Sequence, residues 1–341
     1  MSEQQVLRQD RLYWIDAIRS FACLCVITTH APIPNCGSGE KIIAITNYFS
    51  VAGASVLFFM ISGALVLFKE KSFVPFIKVR LSRIALPMLI WTLISLAIDY
   101  AQHEITGLTI LKRISMIPFA PQVGTYWFIY VVFGIYLLTP FLSSWLSKAS
   151  KRDVEIYLSI WAFTLFLPYL RIVLPQIDAI TAMSSGYLYS FYGYLGFAIL
   201  GFYLRKWCNF NELKKWHVAL VIFIVLLPAV LYSMPIIPHS AIQNRMSINI
   251  VALSVCYFLI IKHMKLSAKA SSFFYDFAQH SFGIYLVHIL VMRKVLWPLL
   301  TPLEIPYFIQ IPLIIFLTVG ISYAIVHLIS KLPFSKYIVG L

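Results

Sequence analysis

Three ionisable residues in one apolar stretch set the chemical question. Residues 13–31 read Tyr-Trp-Ile-Asp-Ala-Ile-Arg-Ser-Phe-Ala-Cys-Leu-Cys-Val-Ile-Thr-Thr-His-Ala, long and apolar enough to cross a bilayer, yet they carry Asp16, Arg19 and His30. At 100° per residue, Arg19 and His30 fall about 20° apart on a helix and about 16 Å apart along its axis. Asp16, three residues before Arg19, shares their stripe. Ionisable groups at membrane depth are costly, so they face a protein interior or a watery cavity and mark function. A carboxylate holds a guanidinium by charge-assisted hydrogen bonds, and an imidazole moves protons near neutral pH. A buried ion pair with an incidental histidine is the alternative; the shared stripe favours a site.

Further along the chain, Arg80 and Arg83 stand three residues apart in the basic connector Phe73-Val-Pro-Phe-Ile-Lys-Val-Arg-Leu-Ser-Arg83 and so are neighbours on a helix surface. They suit either lipid headgroups or a polyanionic cytosolic ligand, since forked guanidinium groups match phosphate. Ser62, Gly63 and Ala64 permit close backbone approach. Gly124-Thr-Tyr-Trp-Phe-Ile-Tyr130 places Tyr126 and Trp127 where an aromatic belt sits, and the same rings could stack on a sugar. Ser281, Tyr285 and His288 lie within about 60° of one another on a later helix. That second stripe serves either interhelical hydrogen bonds or a site. His217, His239, His263, His280 and His327 fall into no such pattern and read as structural.

The elements that position these residues are membrane helices. Sixty per cent of the 341 residues are hydrophobic and 12% charged, with a mean hydropathy of +0.84, which describes a polytopic membrane protein. A net charge of +14 would suggest nucleic acid in a soluble protein, but here most basic residues fall in short loops between apolar runs. Topology explains them, and no nucleic-acid partner is expected. At about 20 residues per span, the pattern predicts ten helices near 13–32, 43–68, 84–101, 125–147, 154–171, 186–204, 216–234, 247–262, 279–297 and 308–329, with a re-entrant segment as an option at 105–120. Nineteen of the 27 Lys and Arg residues then lie on one side and seven on the other, with Arg19 inside the first span. The positive-inside rule makes both termini cytoplasmic. The fold class expected is all-α, one transmembrane domain over 1–341.

Cys23, Cys25 and Cys256 sit in apolar runs and Cys208 in a basic loop, so Cys36, placed outside, has no external disulfide partner. No Cys/His spacing reads as zinc, and no metal is expected. The first apolar run lacks a small-residue cleavage site and reads as a retained span. No Walker loop, His-Glu-x-x-His, Gly-x-Ser-x-Gly elbow or internal repeat occurs.

Five ordered motifs together resemble the acyltransferase-3 family of multi-pass membrane acyltransferases. They are Arg19 with His30 preceded by Asp16; Phe58-Phe-x-x-Ser-Gly63; Arg80-x-x-Arg83; Trp127-Phe128 with Tyr136-Leu-x-x-Pro140; and Ser281-x-x-Ile-Tyr-Leu-x-His288. Ser20 departs from the glycine usual after the arginine, a change that touches helix packing more than chemistry. The chain resembles the single-domain members that O-acetylate surface glycans. The resemblance implies acetyl-CoA as co-substrate and a polysaccharide or undecaprenyl-linked glycan as acceptor, in a bacterial inner membrane. It implies His30, Arg19 and Asp16 in catalysis, Arg80, Arg83 and Ser62 at the donor, and Tyr126, Trp127, Tyr285 and His288 near the acceptor. Intramembrane Asp, Arg and His also build proton relays, which makes a proton-coupled transporter of a small or lipid-linked solute the competing class. The absence of detectable repeats and of paired Gly/Pro-broken helices weighs against it.

Overall fold

The computed structural model describes residues 12–31, 40–174, 188, 190–209, 214–233, 236 and 239–340, and every regular element among them is helical. The longer helices are α1 (Tyr13–His30), α2 (Glu40–Gly53), α3 (Ser55–Val66), α4 (Phe73–Arg80), α5 (Leu86–Ala101), α6 (Gly107–Met116) and α7 (Trp127–Lys148). They continue with α8 (Lys151–Thr164), α9 (Leu167–Val173), α10 (Leu195–Trp207), α11 (Lys215–Ser233), α12 (Ile248–His263), α13 (Ala268–Leu290) and α14 (Tyr307–Ser330). Among the described residues, six helical stretches are long and apolar enough to cross a membrane: Thr46–Val66, Phe73–Ala101, Gly124–Lys148, Lys151–Val173, Ala268–Leu303 and Tyr307–Ser330. Shorter apolar helices, Lys215–Leu231 and Ile248–His263, accompany them. The start of the expected 186–204 helix and the loop holding Cys36 lie outside the described residues.

Local chemistry sets several boundaries. Ser150 caps α8 in a reciprocal box with Asp153, and Ser267 accepts from the Ala270 N–H at the start of α13. Between α4 and α5 the chain widens into a π-helical turn, Leu81–Ala85, which carries Arg83. A second π turn, Val291–Leu296, follows α13. Such turns fit one extra residue into a helix and occur frequently at functional sites. In the 105–120 stretch, α6 leaves Leu108 80% and Leu111 67% exposed beside Lys112 and Arg113. Exposed leucines beside cations are the character of an amphipathic interfacial helix.

Two helix pairs form the frame. The first helix, α1, packs along α13, and α3 packs along α10. In the second pair the backbones nearly touch. A Cβ on Gly63 would overlap the Ala198 carbonyl, and a Cβ on Gly201 would overlap the Met60 carbonyl. Glycine at both positions is what lets these helices approach, the arrangement small residues permit where lipid supplies no hydrophobic drive. Phe59, Phe197 and Trp161 fill the core beside this crossing. An ion-pair cluster, Lys294 with Asp99 and Glu104, ties the second π turn to the end of α5.

Candidate active site

Arg19, Ser62, Arg80 and Arg83 converge on one cavity of about 670 Å³. Arg80 closes α4 and Arg83 belongs to the π turn, so the widened backbone presents both toward the cavity. The Arg80 guanidinium lies 5.0 Å from the Tyr136 ring centre and 5.3 Å from that of Phe76. Stacking occupies the face of a guanidinium and leaves its edge N–H groups for an anion. Asp16 is buried one turn from Arg19 on α1 and does not line this cavity.

The facing wall comes from α13 and α14. Ser281 and Tyr285 line it, and so do His280 and His327, which helical spacing alone sets aside as structural. The His280 and His327 rings are 5.4 Å apart. His280 Nδ1 lies 2.7 Å from the Asp276 carbonyl, and the Asp276 carboxylate accepts the Tyr323 hydroxyl.

Farther along α1, beyond the large cavity, a much smaller one of about 20 Å³ lies against His30. Trp127, Ser55, Thr29 and Arg245 line it as well. His30 Nδ1 is 2.7 Å from the Val26 carbonyl. A carbonyl only accepts, so Nδ1 carries the proton and the Nε2 lone pair is the open position of the neutral ring. His288 repeats this arrangement, with Nδ1 2.6 Å from the Tyr285 carbonyl. Its ring centre is 5.3 Å from that of His30, it is fully buried, and Nε2 has no hydrogen-bond partner among the described residues. His288 lines neither cavity. Two imidazoles with the same tautomer thus stand side by side, and only His30 meets open space.

Arg245 is the residue that sequence reasoning treats only as a loop charge. It sits in the turn before α12, with its guanidinium 5.1 Å from the Trp127 ring centre and within electrostatic reach of His30 and Tyr285. Its Nε is buried without a hydrogen-bond partner among the described residues. Of the aromatic pair expected near an acceptor, Trp127 lines the small cavity and Tyr126 does not. Tyr126 is buried and donates its hydroxyl to the Leu286 carbonyl, while Tyr285 donates to the Thr125 carbonyl. The reciprocal bonds fasten the start of α7 to α13, which makes Tyr126 a positioning residue.

Phe58, Phe128 and Tyr285 line both cavities. The stripe from Arg19 to His30 therefore runs from a large basic chamber, past three aromatic rings, to a small chamber holding an imidazole. A chemistry that brings a bulky anionic carrier to one end and a proton-bearing nucleophile to the other fits this layout. A family model described as an acyltransferase domain matches residues 12–327. No curated protein and no solved structure matches the chain.

Proposed function

Because the chain belongs to the acyltransferase-3 family, we propose that it moves an acetyl group from cytosolic acetyl-CoA to a hydroxyl of a cell-surface or lipid-linked polysaccharide sugar. The observation that carries this reading is the pair of cavities on α1, the basic one at Arg19 and the imidazole-bearing one at His30, meeting at shared aromatic walls. Ten spans and cytoplasmic termini, on the basic-residue asymmetry of the loops, and a bacterial inner membrane, on the family resemblance, complete the proposal. That asymmetry assigns Arg80 and Arg83 to the cytosolic side and His30 to the outer side.

In this reading Arg80 and Arg83 hold phosphates of the donor, with Ser62 beside them, and Arg19, steadied by Asp16, lines the path of the acyl-bearing arm. His30 Nε2 takes the proton from the sugar hydroxyl as its oxygen bonds to the thioester carbon. The carbonyl becomes an oxyanion, for which the Arg245 charge supplies stabilisation. The C–S bond then breaks, the carbonyl re-forms, and the thiolate receives the proton held by His30. Trp127 offers the sugar a stacking face. His288 holds the His30 ring in place by contact. The transporter alternative gives no account of the family match.

The test uses purified protein in proteoliposomes, acetyl-CoA labelled in the acetyl group, and a lipid-linked glycan fraction. Label appearing in the glycan as base-labile ester is the expected result. Intact acetyl-CoA after incubation with functional, folded protein would refute the reading.

A further inference from the structure

The three rings between the chambers are not equivalent. Tyr285 is 6% exposed and held by its hydroxyl on the Thr125 carbonyl, so it is a fixed wall. Phe58 and Phe128 are half-buried and carry no polar tether. Phe128 stands 5.7 Å from Phe58 and 5.7 Å from Tyr285, ring centre to ring centre, and Phe59 backs it at 4.8 Å. On one side lies about 670 Å³ of space and on the other about 20 Å³. A water needs roughly 10–15 Å³, so the chamber at His30 has room for little beyond a small group, whereas the large chamber has room for many.

We propose that Phe58, Phe128 and Tyr285 form a collar that sets acyl chain length, admitting an acetyl group to His30 and selecting against each further methylene. The inference rests on the acyl-CoA reading above and adds the residues that choose the acyl group. The large chamber cannot make that choice, because it has room for many methylenes. The small chamber can, because a methylene beyond the acetyl methyl must displace a ring of the collar. A site of this kind discriminates by about 10–200-fold per methylene. The two phenylalanines, which lack tethers, are the rings whose size decides the limit.

The experiment uses permeabilised membranes that hold the full chain together with the host's own glycan acceptor. Acetyl-, propionyl- and butyryl-CoA, each labelled in the acyl group, are compared as donors on the same preparation. Ratios between donors then cancel protein level and acceptor amount. In the unmodified protein kcat/KM is expected to fall at least tenfold from acetyl to propionyl and again to butyryl. Phe58→Leu and Phe128→Leu are each expected to raise the butyryl-to-acetyl ratio at least tenfold. Phe163→Leu, on an exposed face of α8, leaves the ratio unchanged. Phe128→Met keeps most of the ring's volume on a flexible chain and moves the ratio the same way if the leucine variants do not fold. An unmodified protein that uses butyryl-CoA as well as acetyl-CoA overturns the collar and leaves the acyltransferase reading standing. Folded Phe58 and Phe128 variants with an unaltered ratio do the same. No transfer from any of the three donors overturns the acyl-CoA reading and the collar with it.

Discussion

Replacing His30 with glutamine separates the role of its lone pair from its role in packing. The ring is half-buried at the end of α1, with one hydrogen bond among the described residues, Nδ1 to the Val26 carbonyl at 2.7 Å. Losing that bond costs about 0.5–1.5 kcal/mol of stability, too little to unfold most membrane-inserted chains. Glutamine can donate to the same carbonyl, so even this cost is partly restored. What it lacks is a basic nitrogen. Removing general acid–base help lowers turnover by ~10²–10⁴-fold, or about 2.7–5.5 kcal/mol of barrier. Activity per folded molecule is therefore expected to fall far more than stability does. His30→Gln and His30→Ala are expected to be similarly inactive, and His288→Gln, buried and lining neither cavity, less impaired. The assay is acetyl transfer by purified protein, normalised to the monodisperse fraction, with thermal unfolding followed in parallel. Near-normal turnover by His30→Gln together with a dead His288→Gln would refute the reasoning and move the base to α13.

Arg80→Ala or Arg83→Ala is expected to weaken CoA binding by roughly one to two decades, from about 1.5–3 kcal/mol per charge-assisted contact; equilibrium binding of labelled CoA checks this, and unchanged affinity returns that arginine to a headgroup anchor. Arg80→Lys keeps the charge but loses the flat face that stacks on Tyr136, so it is expected to recover only part of the affinity. Gly63→Ala and Gly201→Ala each push a Cβ into a carbonyl of the partner helix and are expected to cost at least the 1–3 kcal/mol typical of overpacking, read as a lowered unfolding temperature, whereas Gly134→Ala, with open space around it, is expected to be neutral. Single cysteines placed at 148–153, in a background lacking Cys36 and Cys208, are expected to resist an impermeant thiol reagent in intact cells; labelling there would exchange the donor and acceptor sides.

How much of this could be read beforehand follows from the range of the forces involved. Arg19 and His30 share a helix, and helical periodicity alone puts them on one stripe that the structure extends past both cavities. Arg80 and Arg83 were legible as neighbours for the same reason. The π turn that aims them was not, because one extra residue leaves no signature in hydropathy. Arg245 reaches His30 from a turn more than 200 residues away, a placement made only by the packing of α12 against α1 and α2. His280 and His327 stand on different helices, and only the α13–α14 contact makes them a pair. Gly63 read as a packing residue, and its reciprocal partner Gly201 emerges only when α3 meets α10. Tyr126 and Trp127 show the opposite failure: adjacent in sequence, they point to different surroundings, and composition cannot tell which faces the site.

The π turn at Leu81–Ala85 fixes an angular phase. Inserting one residue into a helix advances everything beyond it by about 100° with only 1.5 Å of added length. The basic connector and α5 thus remain nearly in line while their faces are dialled independently, arginines toward the chamber on one and Trp91 and Thr92 toward the core on the other. Deleting a single residue from this turn would keep composition, charge and helix content. It would rotate Arg80 away from the cavity like a key turned in its lock.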